Sequence, residues 1–458
     1  MSAVLLIAVP LLAAFLSILY KKAAPYLLLV VSFASVILLN YVDLGTITIG
    51  GFAAPYGISL VFDSFSQVAL TVVNVLFFLV SIISIWNYKK LGSILLVALA
   101  GLNGLLLTGD LFNLFVFIEV SGIAAYLITT TNKKPLATFN YLVLGTVGSS
   151  LYLLGLIILY AMFGTLNMVD LSAQITTSGA GNMVTAFPFL LMFIGLGVEA
   201  KLLPFNSWVK GILGNSNTLS GPMIAAVYAS AMAFVFGRLL TSVFVFSDQL
   251  MLIISIVIIF SIIAGEAMAY ASTKAREILL FSSIAQAAIV VLVFTLGFTG
   301  FGVILAAVNG FSKLVLFLVI NHATEEVGSD EVADLKGIFM ENKVVGAAFT
   351  VATLSILGLP LFVGFVVKMN ILKSMFMAEK LIFPAVILLA SVVEGVYFVK
   401  LLVQLWYKKD APARVSFGLP IAYLVTVIAA LLIVFGLYTE PLTDLAGDLV
   451  NIAQGGLL

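Results

Sequence analysis

There is no cysteine among the 458 residues. Disulfides and thiolate-held zinc or iron–sulfur centres are therefore excluded from this chain. The single histidine, His322, excludes a histidine-based metal cluster within it. Charge is scarce as well: Asp, Glu, Lys and Arg make up 9% of the residues, against about 25% in a soluble protein. The 21 basic and 21 acidic side chains cancel, so no bulk field draws the protein to nucleic acid. The remainder is apolar, 63% hydrophobic with a mean hydropathy of +1.25. Such a chain is neither a soluble globule nor disordered. The expected fold class is an all-α polytopic membrane protein.

A membrane-crossing helix needs about 20 mostly apolar residues. That ruler gives about fourteen segments, roughly 3–20, 24–42, 62–87, 91–109, 111–131, 137–163, 185–209, 219–243, 249–271, 279–297, 300–322, 343–367, 380–404 and 415–437. The runs are too long and unbroken for an outer-membrane barrel. The first has its lysines, Lys21 and Lys22, after it rather than before it, and reads as a retained helix. With the N-terminus outside, one set of loops holds Lys21, Lys22, Lys89, Lys90, Lys133, Lys134, Lys210, Lys274, Arg276, Lys336, Lys343, Lys408, Lys409 and Arg414. The opposite set holds only Lys373 and Lys380. Basic loops stay cytoplasmic, which predicts both termini outside a cytoplasmic membrane. Residues 44–60 are expected to form a small outer hairpin, and 164–184 a short amphipathic segment followed by a flexible loop. The acidic stretch from His322 to Lys343 reads as a solvated loop or a docking surface for a partner.

Ionisable residues at membrane depth cost roughly 2.5–3.5 kcal/mol each on insertion scales. This chain has Glu119 in the fifth segment, Glu199 and Lys201 in the seventh, Arg238 in the eighth and Glu266 in the ninth. Lys313 lies in the eleventh, Lys368 follows the twelfth, and Glu394 lies in the thirteenth. Desolvation lowers a lysine pKa and a nearby carboxylate raises it, so a buried lysine suits proton loading and release. Glu199 and Lys201 are two apart and face different sides of a helix. Glu119 is the better expected partner for Lys201. Glu394 is expected either to act as a functional carboxylate or to pair with Lys400 or another helix; Glu266 is expected to pair across the bundle or to serve a sodium path. His322 anchors a loop or forms a proton mouth. Pro204 lies three residues after Lys201, and Gly358, Pro360 and Gly364 precede Lys368. Two spans therefore look broken, the seventh and the twelfth, in the manner of an inverted-repeat transporter.

Several stretches resemble one family in order. They are GLNGLLLTGDLFNLFVFIEVSGIAAYLI (101–128), YAMFGTLNMVDLS (160–172), KLLPFNSWV (201–209), EILLFSSIAQ (277–286), FSKLVLFL (311–318) and LGLPLFVGFVVK (357–368). They resemble the D-type subunit of Mrp antiporters and the antiporter-like subunits of respiratory complex I and archaeal membrane-bound hydrogenase-type complexes. The resemblance implies an inverted repeat of helices 4–8 and 9–13. It divides the chain into 1–90 (helices 1–3), 91–245 and 246–405 (the two half-channel repeats) and 406–458 (helix 14 and tail). It implies ion movement through Glu119, Lys201, Lys313 and Lys368, with H+ and Na+ as the two candidate ions. It implies partner antiporter-like and small membrane subunits, with a peripheral redox arm whose subunits carry iron–sulfur clusters as one form of the complex. The family's eighth-helix lysine falls on Ser230 here, and the eleventh-helix histidine on Asn309. Either water held by Tyr228, Ser230 or nearby backbone replaces that lysine, or this copy conducts poorly or only shapes a path in a neighbour. A stand-alone solute transporter and a non-conducting structural subunit are the alternatives. No cofactor motif or metal-ligand cluster is visible, so catalysis by this chain alone is not expected.

Overall fold

The computed structural model describes residues 1–177, 185–244, 246–408 and 415–455. Lys409 and Arg414 of the basic loops, and residues 178–184 of the expected flexible loop, lie outside the described residues. The chain opens with helices α1 (Leu5–Leu19) and α2 (Ala24–Leu38). Strands β1 (Gly45–Thr48) and β2 (Ser59–Phe62) then pair antiparallel, Gly45 opposite Phe62, as the hairpin expected at 44–60. Helices α3 (Ser64–Asn87), α4 (Gly92–Leu107), α5 (Leu111–Thr129) and α6 (Pro135–Phe163) follow. Asp110 starts α5: its carboxylate accepts the backbone N–H groups of Phe112 and Asn113 at 2.9 and 2.8 Å, which would otherwise be unpaired. The short amphipathic helix α7 (Met168–Thr177) stands where one is expected.

The seventh expected segment is two helices, α8 (Ala186–Glu199) and α9 (Ser207–Leu213). In the eighth, α10 (Ser220–Pro222), a π-helical stretch (Met223–Tyr228) and α11 (Ala229–Ser242) run as one helix. Next come α12 (Asp248–Ala271), α13 (Ala275–Thr295), α14 (Thr299–Val327) and the single turn α15 (Ile338–Glu341). The twelfth segment is again divided, into α16 (Lys343–Leu357) and α17 (Val363–Met377). Helices α18 (Ile382–Leu405), α19 (Leu419–Leu437) and α20 (Glu440–Gly455) complete the fold.

Among the described residues, eleven helices are long and apolar enough to cross a membrane. Three further expected segments fall on the shorter apolar helices α1, α8 and α16. The spanning windows of α13 and α14 are 94% and 89% buried, whereas those of α6 and α18 are 39% buried. So α13 and α14 form the centre of the bundle, and α6 and α18 turn wide apolar faces outward.

Two expectations need correction. Helix α14 does not end at His322 but continues to Val327. The rest of the acidic stretch, up to α15, stays a loop as expected. The Ala275 N–H donates to the Asp330 carbonyl at 2.8 Å, and Lys274 pairs with Asp330 at 3.7 Å, tying it to the start of α13. Lys373 is not a loop residue either, because α17 continues past it to Met377.

Candidate functional site

The two helix breaks share one backbone design. At the end of α8 the Lys201 N–H donates to the Val198 carbonyl at 3.2 Å, and the Leu202 N–H to the Gly197 carbonyl at 2.9 Å. At the end of α16 the Gly358 N–H donates to Ser355 and the Leu359 N–H to Leu354, both at 3.1 Å. This crossed pair of bonds is the Schellman termination, which needs a left-handed residue just past the helix and usually takes glycine. Gly358 fills that position at φ 77° in α16; in α8 it is filled by Lys201 at φ 66°. A non-glycine residue there is held at a cost of about 1–3 kcal/mol. The groups freed beyond α8 find partners. The Trp208 indole N–H donates to Val198 at 3.0 Å, the Leu203 N–H donates to the Ser261 hydroxyl at 2.9 Å, and that hydroxyl donates to the Leu203 carbonyl at 3.1 Å. An interrupted helix at membrane depth survives on such pairing.

The break swings the Lys201 side chain into the bundle centre, where it is 1% exposed. Its ammonium donates to the Ser283 hydroxyl of α13 at 2.9 Å. Lys313 of α14, also buried, donates to the Ser283 backbone carbonyl at 3.4 Å. One serine therefore touches both lysines. The expected Glu119–Lys201 pair does not form: among the described residues Lys201 has no ion pair within 4.0 Å. The half-buried Glu119 instead lies within electrostatic reach of Glu199 and Tyr126. Glu199 is held by two phenols, Tyr126 donating at 3.3 Å and Tyr141 at 3.1 Å, with Trp208 stacked on Tyr141 at 3.9 Å. Tyr228 donates to the Ser121 carbonyl at 2.9 Å, and the Ser230 hydroxyl packs against Gly310 on α14.

Beyond Lys313 the buried polar groups continue on α13, α17 and α18. The Gln286 amide donates to Glu394 at 2.7 Å. The Lys368 ammonium reaches Glu394 at 3.2 Å, and Ser391 and the Leu357 carbonyl at the end of α16 at 3.3 Å each. Glu394 thus pairs with Lys368 and not with Lys400, whose ammonium sits over the Tyr270 ring at 4.6 Å. Glu266 is buried beside the Tyr397 hydroxyl and makes no ion pair among the described residues. The sequence pattern does not single out Ser283 or Gln286 as site residues. They lie three apart and share one face of α13.

Two candidates leave the axis. Arg238 makes a bidentate pair with Asp63, at 2.5 and 2.7 Å, just before α3. His322 binds the Ser416 carbonyl at 3.0 Å and packs on Phe417, so it anchors the segment entering α19. Burial of Asp63 pushes its carboxyl up, but the Arg238 bond and charge, with Ser66, outweigh this and hold it below the usual range. A depressed carboxyl contributes stability that is present above the ordinary Asp value, about 3.9, and is lost as pH falls through the folded value. Arg238→Ala is expected to destabilise the protein by roughly 1.5–3 kcal/mol at pH 7, with a smaller gap from wild type at pH 3. Thermal unfolding in detergent at both pH values checks this; an equal gap would contradict it.

Residues 108–394 match the family model described as NADH:quinone oxidoreductase/Mrp antiporter, transmembrane. The chain belongs to this family. It is an antiporter-like, complex I-like membrane subunit. It is 30% identical to the N subunit of an NADH-quinone oxidoreductase of Desulforudis audaxviator, over 79% of this chain and 75% of that one. It is 26% identical to the D-type subunit of a Na(+)/H(+) antiporter of Bacillus subtilis, over 88% of this chain and 85% of that one. A chain of the membrane-bound sulfane sulfur reductase, an archaeal respiratory membrane complex, superposes with a TM-score of 0.90 at 27% identity. That match covers 98% of this chain and 97% of the other.

Proposed function

We propose that this protein moves protons between two half-channels, within a hetero-oligomeric complex of antiporter-like and small membrane subunits. The route runs from Glu119 and Glu199 to Lys201, through Ser283 to Lys313, and on by Gln286 and Glu394 to Lys368. The observation that carries it is Ser283, in contact with both central lysines. The hydroxyl of Ser283 accepts from Lys201 and its backbone carbonyl from Lys313. A hydroxyl both donates and accepts, so once Lys313 has released its own proton and turned from that carbonyl, the hydroxyl can take the Lys201 proton and give its own to Lys313 where the family's eighth-helix lysine is absent. An open polar cleft of about 540 Å³, lined by Tyr88, Thr131, Lys133, Asn217, Arg276 and Glu325, supports an entry from the basic-loop end. The matching Schellman breaks of α8 and α16 support reading 91–245 and 246–405 as inverted repeats among fourteen spans, flanked by 1–90 and 406–458. Loop charge supports a cytoplasmic membrane with both termini outside.

The test is Ser283→Ala beside Ser283→Thr in the assembled complex. Alanine is expected to slow proton movement by tenfold or more, and threonine, which keeps the hydroxyl, to retain most of it. Equal rates in both variants would remove the hydroxyl from the route. Native purification with mass spectrometry and an iron assay identifies the host. Co-purifying iron–sulfur subunits point to a redox-driven pump, and small hydrophobic subunits without iron to an Mrp-type antiporter.

A further inference from the structure

The proposed route leaves the buried acid Glu266 unused. Glu266 on α12 is 2% exposed and, among the described residues, has no cation paired with it. Charged or titratable groups reach it from α17 (Lys368) and α18 (Glu394 and Tyr397), while α13 offers the uncharged Gln286 and Ser282. The one ammonium in this cluster is already committed. Lys368 has three N–H groups, and they meet the Leu357 carbonyl, Ser391 and Glu394. The Gln286 amide nitrogen is on Glu394, and its carbonyl oxygen is left without a donor. Beside Glu266 stands the buried Tyr397 hydroxyl, with Ser282 next to it. An ionised Glu266 would put a second buried carboxylate beside Glu394 with one ammonium between them, and that ammonium is paired with Glu394. Burying such a charge is prohibitive unless it is neutralised. One proton on Glu266 removes the charge and supplies a donor together.

We infer that Glu266 is a neutral carboxylic acid at neutral pH, and that Glu266, Tyr397 and Glu394 form a storage site for one transferable proton beside the Lys368–Glu394 pair. A bound metal cation suits the place less well. Such an ion needs several oxygen ligands, and the Lys368 ammonium already occupies the neighbouring carboxylate. When Lys368 turns away from Glu394 with its own proton, Glu394 loses its counter-charge. The Glu266 proton then passes to Glu394: one carboxyl O–H bond breaks and one forms, no proton enters or leaves, and the negative charge left on Glu266 lasts only until a proton from the route replaces the one it gave.

This role rests on the proton-transfer reading, whereas the protonation of Glu266 is measured by itself. The full-length chain in detergent at pH 7 is studied by infrared difference spectroscopy, Glu266→Gln against wild type, in H2O and D2O. The expected result is a buried protonated-carboxyl C=O band in wild type that shifts in D2O, disappears in Glu266→Gln and moves in Tyr397→Phe. Glu266→Gln copies the neutral acid in shape and is expected to keep the wild-type melting temperature; Glu266→Asp, which keeps the acid, provides the band should the glutamine variant not fold. Absence of the band in wild type, or its persistence in Glu266→Gln, would overturn the inference. So would a band that appears only after sodium is removed, which would make Glu266 a sodium-bound carboxylate. None of these outcomes touches the Ser283 route, which stands or falls on its own variants.

Discussion

Lys201→Ala is expected to abolish coupled ion movement while the complex still assembles. The ammonium is the group that meets the Ser283 hydroxyl, whereas Lys313 meets that residue's backbone carbonyl. Loss of transport alone would leave misfolding as an explanation, since Lys201 also forms the turn that ends α8. Lys201→Gly separates the two roles. Glycine adopts the left-handed backbone at φ 66° without strain, as Gly358 does at the matching turn of α16. The glycine variant is therefore expected to fold at least as well at the break as the alanine variant, and to transport no better. Proton uptake into membrane vesicles, with assembly followed on native gels, decides the matter. Unchanged transport in an assembled Lys201→Gly complex would remove this lysine from the mechanism.

Much of that design is legible in the sequence because it is local. Pro204 and the Gly358–Pro360 pair mark the two breaks, and the apolar runs mark the helices. Charges at membrane depth mark the axis, since each needs a reason to be there. Contacts between helices are less legible. Sequence spacing identifies neighbours on one helix but does not say which helix is packed opposite. It leaves Glu119 as the better partner for Lys201, although the structure turns Lys201 toward α13 and leaves Glu119 near Glu199. Lys400 is an expected partner for Glu394, yet the two are six residues apart on α18, a spacing that does not share a face, and Lys368 takes the place from α17. Arg238 reads as an intramembrane cation until Asp63, remote in sequence, is placed against it. Ser283 carries a signal of a kind. It stands three residues before Gln286 in a buried, mostly apolar helix, and two polar residues on one face of a central helix need partners.

Removing the Glu394 charge is expected to be the most destabilising conservative change on the axis. Glu394 is 1% exposed, and Glu394→Gln keeps an acceptor for the Gln286 amide while leaving the Lys368 ammonium without its counter-charge. Breaking one side of a buried ion pair costs about 3–5 kcal/mol, because the remaining charge stays buried and uncompensated. The same argument predicts the remedy. Adding Lys368→Met removes the stranded ammonium, and replacing a buried pair by uncharged groups of similar volume is often neutral. The double variant is therefore expected to recover most of the lost stability, with a coupling energy of at least about 1 kcal/mol in a double-mutant cycle, as for residues in direct contact. Transport behaves differently, since both the single and the double variant lack the proton-carrying pair and neither should pump. Thermal unfolding of all four proteins in one detergent, beside vesicle transport, reads the two effects apart. Additive losses of stability would mean that Lys368 and Glu394 do not depend on each other. Transport restored together with stability would make their role in the bundle structural, with the ion passing elsewhere.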